Sequence, residues 1–386
     1  MASISPGQIA EWLSKRVVGQ TEAVREMSVA LAKKLAGLGA GNILMIGSSG
    51  SGKTTLMQAV EAMLASTPAL ATRSTAVRIH ANVLGEETEQ GQPGAKLLLR
   101  LLARARQQLG ADAPVERLLE QASHGLVFVD EVDKIRGHVG GVTNVAGIRA
   151  QEALLTLIEN EAVPFTLPEW AGGKTISLNS SGLLFVCAGA FEGLYDAVFH
   201  RVTAGRDKGA LQTTTVVEAG RVREELQFKL RDWLRHEDLF EYGVTPQFIS
   251  RFDAVVLLEP LAADDLLRIF VTGADAGLRQ SAAYFKSQGI KLEVTEPAAR
   301  RIAEEAARQP RLGARALKEA FRRVIRPFEF DPKSAHVVDG VLRIDRAYVD
   351  EALASGKPKD RPATSATGWE ESVGVPWSAI EGRETT

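Results

Sequence analysis

The chain has 386 residues, of which 45% are hydrophobic and 24% are charged, and its formal net charge is −2. Such a chain can bury a large core and divides into two or three domains, and its balanced charge excludes a globally basic nucleic-acid-binding surface. The single cysteine, Cys187, excludes an intramolecular disulfide, and the six histidines are too scattered to predict a metal cage. No stretch approaches the roughly 20 apolar residues that span a bilayer, and the first residues lack a signal-peptide pattern. We therefore expect a cytoplasmic protein without a membrane partner.

The first strong signal is the segment GSSGSGKT from Gly47 to Thr54, which follows the apolar run Asn42–Ile46 and fits G-x-x-x-x-G-K-[ST]. Its glycines leave room for backbone N–H groups to converge on an anion, and the helix that follows adds the positive end of its dipole. We expect Lys53 to reach the β- and γ-phosphates of ATP, and the Thr54 hydroxyl to bind Mg²⁺. The predicted phosphate-binding residues are Gly47, Ser49, Gly50, Ser51, Gly52, Lys53, Thr54 and Thr55.

A second signal lies at the end of the apolar run Gly125–Val129, which is typical of a strand buried on both faces. Asp130 and Glu131 follow it directly. We predict that Asp130 holds Mg²⁺ through its waters, and that Glu131 activates the water that attacks the γ-phosphate.

Five short strand candidates are separated by helical segments, and this alternation predicts an α/β fold with a five-stranded parallel sheet. The strand candidates are Asn42–Ile46, Thr75–His80, Gly125–Val129, Gly182–Cys187 and Ala254–Glu259. Apolar stripes predict helices from about Arg149 to Ala162 and from about Val222 to Arg235.

After Pro260 the pattern changes to helices and then to the hairpin Val337–Leu342, whose Asp339-Gly340 pair suits a type I′ turn. We predict a large nucleotide-binding domain at 1–260, a small α+β domain at 261–354 and a flexible tail at 355–386. The tail carries large apolar side chains that we expect to dock on a partner, on a neighbouring subunit or on the chain itself: Trp369, Val373, Val375, Trp377 and Ile380.

Six motifs occur in a recognisable order along about Trp12 to Leu353: Val17–Gln20, Gly47–Thr54, Val129–Lys134, Phe185–Leu194, Pro246–Phe252 and Leu312–Arg315. In this order they resemble the AAA+ module of ClpX-type unfoldases, a Clp/HslU-like family. The resemblance implies an ATPase that uses ATP and Mg²⁺, assembles into a homo-oligomeric ring, expected to be a hexamer, and acts on a protein substrate. It further implies that Val18 and Gly19 contact the adenine and that Cys187 ends the strand carrying the first sensor.

The same resemblance assigns catalytic roles to two arginines. Arg251 would be the finger that reaches the nucleotide of a neighbouring subunit, and Arg315 the second sensor on the γ-phosphate. A permanently charged guanidinium suits both roles, because charge spreads over the γ-phosphoryl oxygens in the transition state.

The sequence also departs from this family. The segment that aligns with the family's Gly-Tyr-Val-Gly pore loop is Ala81–Glu87, in which Val83 replaces the aromatic. Trp170 and Lys174 stand where a basic pore loop is expected, and Val202–Glu218 lacks the Ile-Gly-Phe tripeptide that docks the peptidase. With one cysteine, the sequence also lacks the family's zinc-binding module. We therefore do not expect a Clp peptidase as a partner.

Three functions stay open at this point. The one we favour is a ring ATPase that remodels or disassembles a protein complex. The second is a nucleic-acid-associated AAA+ switch or loader, to which Arg100, Arg104 and Arg106 could contribute phosphate contacts, although a solvated helix face explains them more simply. The third is a non-catalytic scaffold, and the intact Lys53 and Glu131 argue against it.

Overall fold

The computed structural model describes residues 4–67, 75–84, 94–159, 162–204, 212–218, 221–273, 277–332 and 337–355. The predicted tail motif around Trp369 lies outside these residues. The chain forms two compact units, one of Met1–Gly47 and Lys53–Leu258 and the other of Ser48–Gly52 and the residues from Glu259 onward.

The first unit is an α/β unit. Its strands are β1 (Ile43–Ile46), β2 (Ala76–His80), β3 (Leu126–Asp130), β4 (His138–Val139), β5 (Val142–Thr143), β6 (Ala162–Thr166), β7 (Thr175–Asn179), β8 (Leu184–Gly189), β9 (Gln212–Glu218), β10 (Arg221–Gln227) and β11 (Ala254–Leu257). Its helices are α1 (Pro6–Ser14), α2 (Thr21–Leu35), α3 (Lys53–Ser66), α4 (Ala95–Leu109), α5 (Val115–Ser123), α6 (Val145–Ile158), α7 (Leu194–Ala204), α8 (Leu230–Trp233), α9 (His236–Tyr242) and α10 (Pro246–Ile249).

Five strands form one parallel sheet in the order β11-β1-β8-β3-β2. This confirms the predicted five-stranded parallel sheet, and each of its strands overlaps one of the five candidates. Side chains alternate between two apolar clusters, so that Leu44 and Val127 pack on one face while Met45 and Phe128 pack on the other. Burial on both faces explains why β1, β3 and β8 are continuous apolar runs, whereas β2 at the edge of the sheet contains Arg78 and His80.

Two helix predictions need correction. The helix predicted from about Arg149 to Ala162 is α6, which begins four residues earlier because the side chain of Asn144 accepts a hydrogen bond from the Gly147 N–H. Ala162 instead begins β6, which pairs with β7. The predicted helix from Val222 to Arg235 is wrong, since its first part is β10, paired antiparallel with β9, and only the short α8 follows.

The second unit contains the helices α11 (Ala263–Thr272), α12 (Gly277–Ser287), α13 (Glu296–Ala307), α14 (Ala314–Phe330) and α15 (Arg346–Ser355). Its strands β12 (Lys291–Val294), β13 (Val337–Val338) and β14 (Val341–Ile344) form a sheet in the order β12-β14-β13. The hairpin between β13 and β14 has positive φ at both Asp339 (50°) and Gly340 (75°), which confirms the predicted turn. The unit is therefore the small α+β domain expected after Pro260.

None of the helices in the described residues has the length and hydrophobicity that a bilayer crossing requires.

Candidate nucleotide-binding site

The phosphate loop lies between β1 and α3, as the sequence predicts. Gly50 (φ 75°) and Gly52 (φ 106°) adopt backbone conformations that side chains disfavour, and the Ser51 N–H donates to the Ser48 carbonyl at 3.2 Å. Lys53 is the first residue of α3, is only 8% exposed, and donates from Nζ to the carbonyl of Gly47. The lysine is thereby held at the start of the helix rather than extended into solvent.

The predicted magnesium ligands Thr54 and Asp130 lie together. The Thr54 hydroxyl donates to Asp130 Oδ2 at 3.3 Å, although the two residues are 76 apart in the sequence. Parallel strands end at one edge of the sheet, and this brings the end of β3 beside the start of α3, the helix that follows β1 in the sequence. Asp130 Oδ1 accepts the Glu131 N–H at 2.9 Å.

A magnesium ion fits this arrangement. Mg²⁺ keeps several waters and takes one or two protein oxygens together with substrate phosphates, and Thr54 and Asp130 provide two oxygens on the exposed side of the sheet edge. The described residues contain no group of three or more His, Cys, Asp and Glu side chains able to hold an ion without a nucleotide. Thr54 and Asp130 are thus suited to an ion that arrives with ATP.

His80 was not predicted as a site residue, yet its Nδ1 lies 3.6 Å from Glu131 Oε2. It is the last residue of β2 and is paired in register with Asp130. The sequence predicts the strand β2 but not its pairing with β3. The motif alone therefore could not identify His80 as a neighbour of Glu131.

Asp133 is another residue of this region that no sequence motif marks. It is buried, and its Oδ1 accepts the Ala190 N–H at 3.0 Å directly after β8. A Cβ on Gly189 would lie 2.7 Å from the same oxygen, so a larger residue there would displace the carboxylate. Asp133 therefore fixes the end of β8 relative to the segment that follows Glu131.

The prediction that the strand carrying the first sensor ends at Cys187 is wrong. The strand does not end at Cys187 but continues to Gly189, and the thiol is fully buried in an apolar cluster. Burial raises the pKa of the Cys187 thiol above its ordinary value. A neutral, inaccessible thiol cannot contact a phosphate.

Val18 and Gly19, the predicted adenine contacts, lie between α1 and α2. Gly19 is exposed with φ 75°, Val18 is half-buried, and the neighbouring Val17 packs in the core. Their role in adenine binding stays a prediction.

The two predicted catalytic arginines lie in different units. Arg251 follows α10 in the first unit, and its Nη2 lies 2.6 Å from Glu159 Oε1. Arg315 is an exposed residue in the first turn of α14 in the second unit. Within that same unit, the Ala314 N–H donates to the carbonyl of Gly50 at 3.1 Å. The catalytic role of each arginine stays a prediction.

The segments that depart from the unfoldase pattern are described in part. Val83 lies in a helical turn directly after β2 and is half-buried, whereas residues 85–93 fall outside the described chain. Trp170 is exposed, and the guanidinium of Arg106 lies 4.0 Å from the centroid of its ring. Residues 205–211, in the region where the docking tripeptide was sought, also fall outside the described chain.

Comparison with known proteins matches residues 39–255 to the AAA domain (Cdc48 subfamily) and residues 261–328 to the C-terminal D2-small domain of ClpB protein. ATP-dependent Clp protease ATP-binding subunit ClpX 3 of Methylococcus capsulatus is 30% identical, and the match covers 97% of this chain and 85% of the relative. ClpX of Treponema denticola is 29% identical over 86% of this chain and 78% of the relative. ClpX of Borrelia duttonii is 27% identical over 93% and 82%, respectively. The chain therefore belongs to the AAA+ ATPases and is of the ClpX type.

Proposed function

We propose that this chain is a ring-forming ATPase whose ATP hydrolysis remodels or disassembles a protein complex without a Clp peptidase. The observation that carries the proposal is the Thr54–Asp130 contact with Glu131 directly beside it. This arrangement combines a metal-binding pair with a carboxylate that can act as a general base, as nucleotide hydrolysis requires.

In this proposal, backbone N–H groups of the phosphate loop and Lys53 bind the phosphates of ATP. Mg²⁺ held by Thr54 and Asp130 would neutralise negative charge on the β- and γ-phosphates. Glu131 accepts a proton from water as the water oxygen bonds to the γ-phosphorus, while the bond to the bridging oxygen breaks and ADP leaves. His80 lies next to the carboxylate of Glu131, with its Nδ1 3.6 Å from Glu131 Oε2.

Arg251 completes the site of a neighbouring subunit. Its side chain is 48% exposed, so part of the guanidinium is accessible from outside the subunit. Arginine fingers supply roughly 10³–10⁵ in rate in other NTPases. A subunit without a neighbour would then lack most of its activity.

Independence from a peptidase rests on the sequence, because Val202–Glu218 contains no Ile-Gly-Phe tripeptide and Val83 replaces the gripping aromatic. A smaller apolar side chain gives less contact area to a translocating polypeptide than tyrosine does. Both departures favour limited remodelling of a complex over processive delivery to a protease.

The nucleic-acid alternative is less well supported. The guanidinium of Arg100 donates to the Arg78 carbonyl, that of Arg104 to Gln107, and that of Arg106 lies over Trp170. The three arginines are thus engaged within the chain rather than arranged as an unpaired row for phosphates.

Mixed assemblies test the ring and the finger together. Lys53→Ala subunits cannot hold ATP but can donate Arg251, whereas Arg251→Ala subunits can hold ATP but donate nothing. We expect each variant to be inactive alone and an equal mixture to recover part of the ATP turnover, which should rise with protein concentration.

The control is a mixture of each variant with subunits that carry both substitutions, which should stay inactive. Turnover that does not depend on concentration, down to a demonstrated monomer, would contradict the ring and the trans role of Arg251.

A further inference from the structure

Arg251 is held by an acidic residue of its own subunit. Its Nη2 lies 2.6 Å from Glu159 Oε1, and Glu159 directly follows the last residue of α6. The Glu159 side chain is 29% exposed, so the pair lies at the surface with the carboxylate partly covered. A guanidinium carries five N–H donors, and a contact at one of them leaves others for a second anion.

The same helix holds the backbone that precedes Arg251. The Gln151 side chain is buried at 2% exposure, and its Oε1 accepts the Thr245 N–H at 2.9 Å. Its Nε2 donates to the Gly243 carbonyl at 3.1 Å. Thr245 precedes α10, and Arg251 lies two residues beyond the end of α10.

Helix α6 therefore contacts the finger-bearing segment on both sides of α10. Gln151 and Glu159 are eight residues apart on the helix, which corresponds to about 12 Å along its axis. Two separated contacts fix the direction of a segment, whereas one contact would leave it free to rotate. Breaking the hydrogen bonds of a buried amide such as that of Gln151 leaves its polar atoms without partners, which is costly. The contact between α6 and the segment before α10 is therefore stable.

Gln151 also reaches the segment that follows the catalytic carboxylates. Its Nε2 donates to the Ile135 carbonyl at 2.7 Å. Ile135 ends the short 3₁₀ helix that begins directly after Glu131. Helix α6 is thus joined to the Glu131 segment and to the Arg251 segment of one subunit.

We propose that Glu159 is a positioning residue that orients Arg251 toward the nucleotide of the neighbouring subunit, with α6 anchored by Gln151. This inference rests on the proposed trans role of Arg251. An arginine held in its working direction loses less rotamer freedom when it meets the phosphate, so more of the contact energy is available in the transition state. In this role Glu159 contacts neither ATP nor the attacking water, and it affects the reaction only through Arg251.

The test uses the mixed assemblies described above. In the parent mixture, all turnover comes from an Arg251→Ala site that faces a finger donated by a Lys53→Ala subunit. Glu159→Ala is placed either in the finger donor or in the site donor. We expect ATP turnover to fall about tenfold in the first case, as misplaced reacting groups cost rate, and to stay unchanged in the second.

Glu152→Ala is the matched control, since Glu152 is an exposed carboxylate on the same helix. We expect it to leave turnover unchanged in either subunit. A general loss of folding or ring assembly would reduce turnover whichever subunit carried Glu159→Ala, so an equal fall in both would overturn the proposal. No effect in the finger donor, or a rise that marks Glu159 as an inhibitor, would overturn it as well. An inactive parent mixture would contradict the trans finger itself, and the proposal with it.

Discussion

Glu131 shows how a single residue's backbone separates the roles of two adjacent carboxylates. It adopts φ 60° and ψ 36°, the left-handed region that residues with a Cβ rarely occupy. This turn lets Asp130 face Thr54 while Glu131 faces His80. In a continuing strand the two side chains would instead point to opposite faces of the sheet. The strained turn thus suits the proposed division, in which Asp130 binds the metal and Glu131 accepts the proton.

This division predicts different consequences for two substitutions. Lys53→Ala removes the cation that meets the phosphates, so we expect ATP binding and turnover to be lost together. Glu131→Gln removes only the basic carboxylate and keeps the size of the side chain, so binding should be retained while turnover falls at least about 100-fold. Nucleotide affinity by calorimetry and steady-state phosphate release check both.

Gln58→Ala is a suitable control for these variants, since it alters an exposed polar side chain on the same helix without removing a charge. It should change affinity much less than Lys53→Ala. Normal turnover in Glu131→Gln would show that another residue accepts the proton.

At the scale of residues, the sequence predicts side chains that belong to one local motif, and it does not predict contacts between residues that are far apart in the chain. Lys53, Thr54, Asp130 and Glu131 belong to short motifs, and the structure brings the side chains of Thr54 and Asp130 into contact, while the binding and catalytic roles stay predictions. His80, Gln151 and Glu159 lie far along the chain from their partners, and no local pattern marks them. Cys187 was misplaced because its strand was predicted to end two residues too early.

At the scale of elements, burial decides which predictions succeed. The strands β1, β3 and β8 are buried on both faces and are continuous apolar runs, whereas β2 alternates between buried and less buried residues, and both patterns are visible in the sequence. The order of the strands in the sheet depends on how the connecting helices cross over, and the sequence of a single strand does not predict it. The segment from Val222 to Gln227 has apolar residues four apart and so fits a helix, but it pairs with the β-branched segment Gln212–Glu218. Strand formation there depends on a partner outside the sequence window.

Helix α9 offers an element-scale test, because Tyr242 at its end joins it to the loop after β8. The hydroxyl of Tyr242 donates to the Glu192 carbonyl at 3.0 Å. Its ring packs 5.4 Å from that of Phe191 and lies 4.6 Å from the guanidinium of Arg136. Burial, opposed in part by the charge of Arg136, raises the pKa of Tyr242 from 10.0 to about 12.

Tyr242→Phe should keep the ring contacts and lose the hydrogen bond, which lowers the free energy of unfolding by about 1 kcal/mol at neutral pH. Because the pKa is higher in the folded protein, the unfolded chain releases the phenolic proton first as pH rises. The wild type should then lose stability between about pH 10 and 12, whereas the variant should lack this component. Thermal unfolding across this range measures the difference. A variant with the wild-type alkaline profile would refute the assignment.

At the scale of the whole molecule, the family match supports ATPase activity, whereas the departures from the family concern the contacts with substrate and peptidase. The matches at 27–30% identity extend over most of the chain and over both units. Nucleotide chemistry depends on a few residues and is kept, whereas contacts to substrate and peptidase depend on surface loops that tolerate change. An ATPase can therefore keep its site while its partners differ.

This separation between the nucleotide site and the partner surfaces can be tested with a peptidase. We expect no ATP-dependent degradation of a tagged substrate when the wild-type protein is mixed with a Clp peptidase, because Val202–Glu218 lacks the docking tripeptide. A ClpX that carries the tripeptide, assayed with the same peptidase and substrate, is the positive control. ATP turnover should proceed normally in the same mixture, which separates a missing partner contact from an inactive ring. Degradation at a rate near that of the control would mean that another surface docks the peptidase, and the proposed independence would be wrong.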